Sequence, residues 1–197
     1  MTRLPSNLVI GLAGDRGVGK DTLFNLLRAA DHRFTRWAYA DALKGDLRLF
    51  LVDQFGIDPL TATGAEKELI RPILIAYGCA WRERYVDHWA ERVADDIGET
   101  IRSNPQPLIH VITDCRFENE VRLARQRFGE AFRLIRVDRI GSPGPTDEER
   151  KHSAAVSAMA DYHILWGDDT EAQRAEIAVK LIQWLENSVE SSHKPQI

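Results

Sequence analysis

The strongest constraint on the fold is the stretch from Leu8 to Thr22, in which an apolar run leads into closely spaced glycines. The run over residues 8–13 is short and rich in branched side chains, which predicts a buried strand. A glycine-containing turn follows over residues 14–20, and then Leu23, Leu26 and Leu27 recur at helical spacing. The segment therefore predicts a strand, a tight turn and a helix whose first N–H groups face that turn.

The spacing Gly14-x4-Gly19-Lys20 is that of a P-loop, which binds the phosphates of a nucleotide. Its glycines let the backbone curl so that N–H groups point inward, and a lysine there reaches the β- and γ-phosphates. Asp21 stands where Ser or Thr usually supplies a hydroxyl to Mg²⁺, and Thr22 follows one place late, so either could ligate the metal. The expected ATP-binding residues here are Gly14, Asp15, Arg16, Gly17, Val18, Gly19, Lys20, Asp21 and Thr22.

Composition indicates one soluble domain. The chain has 197 residues, of which 44% are hydrophobic and 28% charged, and no apolar run approaches the length of a membrane span. It begins without the long apolar core of a secretory signal, so we expect a cytoplasmic location. The net charge of −4 argues against a surface that coats nucleic acid. Cys79 and Cys115 match no metal-binding or disulfide spacing and are expected to be free thiols.

The middle of the chain predicts a second strand and several helices. Residues 34–40 alternate and are rich in aromatics, which predicts a strand that ends at Asp41, and Asp41 would cap the helix that follows. Pro72 suits a first helical position and Gly78 a helix stop, so residues 72–77 are expected to form a short helix. Residues 85–102 repeat apolar side chains at helical spacing and predict an amphipathic helix.

The second strongly apolar run, residues 108–114, ends in a carboxylate, Asp114. In a parallel sheet this residue would lie beside the P-loop and face the metal and phosphates, although it could instead cap a helix. Beyond it we expect a helix (118–128), a strand (132–137), a mobile lid (139–151), a strand (162–166), a helix (170–186) and a frayed polar tail (187–197). Five strands alternating with helices predict a single-domain, three-layer α/β fold with a parallel sheet.

Several short motifs together resemble bacteriophage deoxynucleoside monophosphate kinases. They are Gly19-Lys20-Asp21-Thr22, Ala40-Asp41-Ala42-Leu43-Lys44, Tyr77-Gly78, Trp89, Thr113-Asp114-Cys115-Arg116-Phe117-Glu118-Asn119-Glu120, His152-Ser153 and Gly167-Asp168. The resemblance implies transfer of the γ-phosphoryl group of ATP to a deoxynucleoside monophosphate, assisted by Mg²⁺, in the host cytoplasm if the source is viral. It also implies a P-loop kinase fold with sheet order 2-3-1-4-5. The chain departs from the family pattern at Ala42, Ala154 and Trp166, the last in place of an Asn that could read the adenine.

A phosphate acceptor is already ionised, so transfer to it requires cations and alignment rather than a base. The catalytic candidates are Lys20, Asp114 and Arg116, and the metal candidates are Asp21 and Asp114. The lid residue Arg139, with Gly167 and Asp168, would complete the ATP site. The substrate-binding candidates are Asp41, Lys44, Arg71, Arg82, Trp89, Arg116 and Glu120.

Some of these roles have alternatives. For Arg71, Arg82 and Arg84, a solvated charge near a helix end is an equal alternative to a phosphate contact. Asp41 could cap its helix, bind the sugar of the acceptor, or act as a base on a hydroxyl.

That last role defines a second candidate function, a dephospho-coenzyme A kinase-like transfer to a ribose hydroxyl. A third candidate is a P-loop switch or assembly protein that hydrolyses its nucleotide, but the chain has no guanine-reading Asn-Lys-x-Asp. The expected partners are ATP and a small-molecule acceptor, without nucleic acid or membrane, and the sequence leaves a homodimer open.

Overall fold

The computed structural model describes Leu4, residues 7–142 and residues 147–192, with the backbone alone for residues 147–151 and 189–192. Strands and helices alternate along this part of the chain, except that three helices follow one another before the third strand. They are β1 (Val9–Ala13), α1 (Lys20–Ala30), β2 (Phe34–Trp37), α2 (Tyr39–Phe55), α3 (Gly64–Arg84), α4 (His88–Ser103), β3 (Ile109–Cys115), α5 (Glu118–Phe128), β4 (Phe132–Arg139), α6 (Asp147–Ala158), β5 (Tyr162–Trp166) and α7 (Glu171–Ser192).

The five strands form one parallel sheet in the order β2-β3-β1-β4-β5. The central strand β1 is buried along its whole length, and its first residue, Val9, lies opposite His110 of β3 and Phe132 of β4. The predicted α/β fold, the parallel sheet and its order are confirmed. Because all strands run the same way, the loops after β1, β2, β3, β4 and β5 meet at one edge of the sheet, where α/β proteins bind ligands.

Helices cover both faces of the sheet and make the three layers that the sequence predicts. On one face, Leu23 and Leu27 of α1 pack with Leu181 and Leu185 of α7, and all four side chains are fully buried. On the other face, α4 and α5 cover the sheet with the buried side chains Trp89, Val93, Ile97, Val121 and Ala124. Burial of these apolar stripes holds the helices against the sheet.

Helices α2 and α3 form an antiparallel hairpin beside the sheet. The far end of this hairpin has its own small apolar cluster around Leu51, Ile57 and Ile70. The short helix predicted over residues 72–77 is wrong, because α3 runs from Gly64 to Arg84 with Pro72 and Gly78 inside it.

Gly78 does not end a helix but lets α2 approach α3. A Cβ at this position would lie 2.6 Å from Leu43 Cδ1 of α2. The indole N–H of Trp89 also reaches the Gly78 carbonyl oxygen at 3.3 Å. The glycine therefore serves close packing of helices rather than helix termination.

The remaining differences concern element ends. Strand β2 stops at Trp37, α2 begins at Tyr39, and α7 continues to Ser192 through residues expected in the tail. The predicted lid is described only in part: Arg139 ends β4, α6 begins at Asp147, and residues 143–146 and 193–197 lie outside the described residues. Along the described ranges, no helix has an apolar stretch long enough to cross a bilayer.

Candidate functional site

The turn between β1 and α1 has the backbone of a P-loop. Gly14 and Gly19 have φ angles of 142° and 100°, which L side chains rarely adopt. A Cβ on Gly14 would also lie 2.2 Å from the Val137 carbonyl oxygen, and a Cβ on Gly19 would lie 3.0 Å from Trp166 Nε1. The loop therefore requires glycine at both positions for conformation and for space.

Lys20 folds back over this loop. Its Nζ donates to the carbonyl oxygens of Gly14 at 2.7 Å and Asp15 at 2.9 Å. The N-cap residue of α1 is Gly19, which has no side chain to cap the helix. A lysine ammonium group and a helix N-terminus thus converge on the turn, and together they favour the binding of a phosphate group.

The side chain of Asp15 is buried and contacts other residues of the protein. It is 8% exposed, accepts a hydrogen bond from Ser153 Oγ at 3.1 Å, and lies 3.5 Å from an Nη of Arg136. Within the predicted ATP site, Asp15 is therefore available through its backbone alone. Arg136, on β4, was missed by the sequence analysis; an arginine inside the apolar run 132–137 was the available signal.

A charged cluster lies at the carboxyl end of β2. Asp41 accepts hydrogen bonds from Arg36 and from Lys44, the latter at 3.0 Å, and Arg36 Nε lies 3.8 Å from Asp21 on α1. Burial acts to raise the pKa of Asp41, but the bonds from Arg36 and Lys44 outweigh it and hold that pKa below its ordinary value. The cluster brings together two of the substrate-binding candidates, Asp41 and Lys44, and adds Arg36, which the sequence analysis missed.

Asp41 is not the cap of α2. It lies in the first turn of that helix, and Ala38 is the N-cap residue. The cap is Asp114 at the end of β3: its Oδ1 accepts the N–H of Tyr39 at 2.9 Å and its Oδ2 the N–H of Ala40 at 3.0 Å. Burial raises the pKa of Asp114 even though these two bonds act in the opposite direction. Asp114 therefore caps α2, and its role toward the metal stays a prediction.

The donors for a metal ion are few. Among the described residues, no group of three or more His, Cys, Asp or Glu side chains could hold a metal. Both oxygens of Asp114 accept backbone bonds, and the side chain of Asp21 is 78% exposed. Mg²⁺ in kinases is commonly held by one or two carboxylates together with substrate phosphates and water. The residues present fit a Mg²⁺ held mainly by nucleotide phosphates rather than a closed protein site.

The loop after β3 presents Arg116, whose side chain is exposed. Its backbone N–H and that of Phe117 donate to Glu120 Oε2 at 2.7 and 3.0 Å. Glu120 is 5% exposed, and burial, assisted by the charge of Asp114, raises its pKa to about 8. The prediction that Glu120 contacts the substrate is corrected, because this buried carboxyl group binds the loop backbone instead.

The predicted substrate residues on α3 and α4 lie in different surroundings. The guanidinium group of Arg82 lies 5.0 Å from the ring centre of Phe117, so Arg82 reaches the Arg116 loop. Arg71 is on the exposed side of α3, 3.4 Å from Glu68. Trp89 is 3% exposed and lies in the core, so the prediction that it contacts the acceptor is corrected: no ring face is open for stacking.

A cleft of about 470 Å³ lies between the P-loop and the ends of β4 and β5. It is lined by Gly17, Arg139, Ile140, Gly141, Ser142, Gly167 and Asp168. Three predicted ATP-binding residues, Arg139, Gly167 and Asp168, thus share one cleft with the P-loop. Trp166 is a buried core residue against Gly19. The Trp166 indole therefore packs against the P-loop at Gly19.

No protein-family model matches the chain, and no curated protein matches it. Among solved structures, the chain is similar to TT1252 from Thermus thermophilus, with 16% identity, a TM-score of 0.48, and coverage of 90% of this chain and 96% of that one. It is also similar to the dephospho-CoA kinase from Campylobacter jejuni, with 13% identity, a TM-score of 0.46, and coverage of 90% and 97%. Both likenesses extend over nearly the whole of the other chain, at identities too low to transfer an activity.

Proposed function

We propose that the protein is a phosphotransferase that moves the γ-phosphoryl group of ATP to a deoxynucleoside monophosphate. The P-loop, with Lys20 folded over it at the helix N-terminus, supports the binding of a triphosphate. The cleft beside Gly17, lined by Arg139 and Asp168, is the proposed place of the adenosine. Three cationic side chains, those of Lys44, Arg82 and Arg116, are the proposed acceptor site.

The observation that favours a phosphate acceptor is the ion cluster around Asp41. A general base for a hydroxyl works best with a pKa near the operating pH, whereas Arg36 and Lys44 hold the pKa of Asp41 below its ordinary value. A monophosphate needs no base, and Lys44, Arg82 and Arg116 can supply the positive charge that it requires. This combination suits transfer to a phosphate better than transfer to a hydroxyl.

In this proposal the protein contributes alignment and charge. Lys20 binds the transferred phosphoryl group, and Arg116 neutralises the charge that develops between donor and acceptor. Asp21 and Asp114 are the proposed carboxylate ligands for Mg²⁺. When bound, Mg²⁺ would neutralise charge on the β- and γ-phosphates. Glu120 fixes the loop backbone that carries Arg116.

The runner-up is transfer to a sugar hydroxyl, with Asp41 as base. Its support is that Asp41 follows β2 at the same sheet edge as the P-loop and lies only part-buried there. Under that function the Asp41 carboxylate would take a proton during transfer, and its substitution would abolish turnover rather than weaken acceptor binding.

A panel of deoxynucleoside monophosphates, ribonucleoside monophosphates and dephospho-coenzyme A, each with ATP and Mg²⁺, tests these functions by coupled detection of ADP. We expect ADP formation to depend on a deoxynucleoside monophosphate. Arg116→Ala should raise the acceptor KM and lower turnover by about 10²-fold or more, and Asp41→Asn should leave turnover within the same order of magnitude.

Matched controls are Arg122→Ala, an exposed arginine on α5, and Asp53→Asn, an exposed aspartate on α2. Both should behave like the parent. A hydroxyl acceptor together with an inactive Asp41→Asn would overturn the proposal in favour of the runner-up. ADP formation that no acceptor stimulates would instead favour a nucleotide-hydrolysing switch.

A further inference from the structure

The motif His152-Ser153 on α6 has no role in the function proposed above, yet both of its side chains contact loops of the site. Ser153 Oγ donates to Asp15 Oδ1 of the P-loop at 3.1 Å and accepts from an Nη of Arg136 at 3.0 Å. The ring of His152 lies edge-on to Phe117, with 4.9 Å between ring centres. Two adjacent residues of one helix thus contact the P-loop and the loop that carries Arg116, the acceptor loop.

The contact with the P-loop is a buried polar network. Asp15 and Arg136 are 8% and 7% exposed, so a carboxylate lies inside a loop that binds anions. The guanidinium group of Arg136 compensates this charge, and Asp138 fixes Arg136 through a bond to Nε at 2.8 Å. Ser153 Oγ bonds both partners, so it links α6 to the strand and to the loop at once.

The contact with the acceptor loop is an aromatic one. Phe117 is half-buried, with His152 against its edge and the guanidinium group of Arg82 over its ring. Phe117 directly follows Arg116, and both backbone N–H groups are held by Glu120. A shift of α6 therefore displaces the residue next to Arg116 through packing of rigid rings.

We propose that Ser153 is a positioning residue that couples the P-loop to the Arg116 loop through helix α6. Binding of a nucleotide fixes the P-loop, the Asp15–Ser153–Arg136 network fixes α6, and His152 then fixes Phe117 beside Arg116. The donor nucleotide thereby orders the acceptor loop before the acceptor arrives. This inference rests on the proposed function for its meaning, but its test does not need the acceptor.

The test measures amide hydrogen exchange of the full chain with and without ADP and Mg²⁺. In the parent, ADP should slow exchange in the P-loop and also at residues 115–120. In Ser153→Ala the P-loop should still respond, whereas the response at residues 115–120 should disappear and ADP affinity should fall by about 5- to 30-fold. Ser153→Thr keeps a hydroxyl and should restore both.

Ser157→Ala is the matched control, because it removes the same hydroxyl one turn further along α6. It should behave like the parent in both measurements. An acceptor loop that does not respond to ADP in the parent, or that responds equally in Ser153→Ala, would overturn the coupling. Failure of the parent to bind ADP at all would overturn the proposed function itself, and the two failures are thus distinct.

Discussion

Substitution of Asp114 by Asn tests whether this carboxylate stabilises the fold as the cap of α2. In Asp114→Asn, the amide oxygen can accept only one of the N–H groups of Tyr39 and Ala40, and the NH₂ group then faces the other donor. Loss of a helix cap costs about 0.5–2 kcal/mol, and the cost is larger if the buried Tyr39 loses its acceptor than if the exposed Ala40 does. Removing a buried charge offsets part of this cost. We expect a net loss of about 1–2 kcal/mol in the free energy of unfolding.

The assay is urea unfolding of the full chain in EDTA without nucleotide, followed by circular dichroism and tryptophan fluorescence. These conditions remove any contribution of metal to stability. Asp21→Asn is the control, because its side chain is exposed and should change the unfolding free energy by less than about 0.5 kcal/mol.

Unfolding of Asp114→Asn like the parent in EDTA would refute the role of this carboxylate as a helix cap. If that variant also needs more Mg²⁺ for turnover, the carboxylate serves the metal, and its two backbone bonds contribute nothing measurable.

Three further predictions concern single residues. Burial raises the pKa of Glu120 from 4.5 to about 8, so the folded state keeps a proton that the unfolded chain releases. The free energy of unfolding of the parent should therefore fall as the pH rises between these values, by at most about 1.4 kcal/mol per pH unit. Glu120→Gln should lose that slope in urea titrations, and equal slopes in both proteins would contradict the prediction. Lys20→Ala should reduce turnover by about 10²-fold or more with an unfolding midpoint close to the parent's, and near-parental turnover would remove the P-loop role. Gly78→Val should lower the thermal midpoint, because its Cβ would lie 2.6 Å from Leu43 Cδ1. Gly45→Val, at an open position of α2, should lower it less, and equal shifts would contradict close packing at Gly78.

The fold could be predicted from local patterns because its elements carry them. The apolar runs that became β1, β3 and β5 and the leucine spacing of α1 are short-range signals, and the P-loop fixes the order of strand, turn and helix. The sheet order came from the resemblance and is confirmed by the pairing of β1 with β3 and β4. The errors at Pro72 and Gly78 arose because tertiary packing overrode residue preferences that hold for isolated helices.

The candidate site was predicted less completely because its contacts span long sequence distances. The bond from Ser153 to Asp15 and the bonds from Tyr39 and Ala40 to Asp114 each join distant parts of the chain. No local pattern reports which carboxylate an arginine will face. Arg36 and Arg136 were therefore missed, although both are visible in the sequence at strand positions.

The separate apolar cluster at the far end of the α2–α3 hairpin indicates where the protein should begin to unfold on heating. Leu51, Ile57 and Ile70 pack with one another rather than with the sheet, while Leu49, Phe50 and Leu69 are exposed nearby. A region with so small an interior opens at lower free energy than the strands do. Local unfolding should therefore begin there and expose apolar surface that favours aggregation, while β1 and the P-loop attached to it stay ordered. Thermal inactivation of this protein would then start at the hairpin, with nucleotide binding still intact.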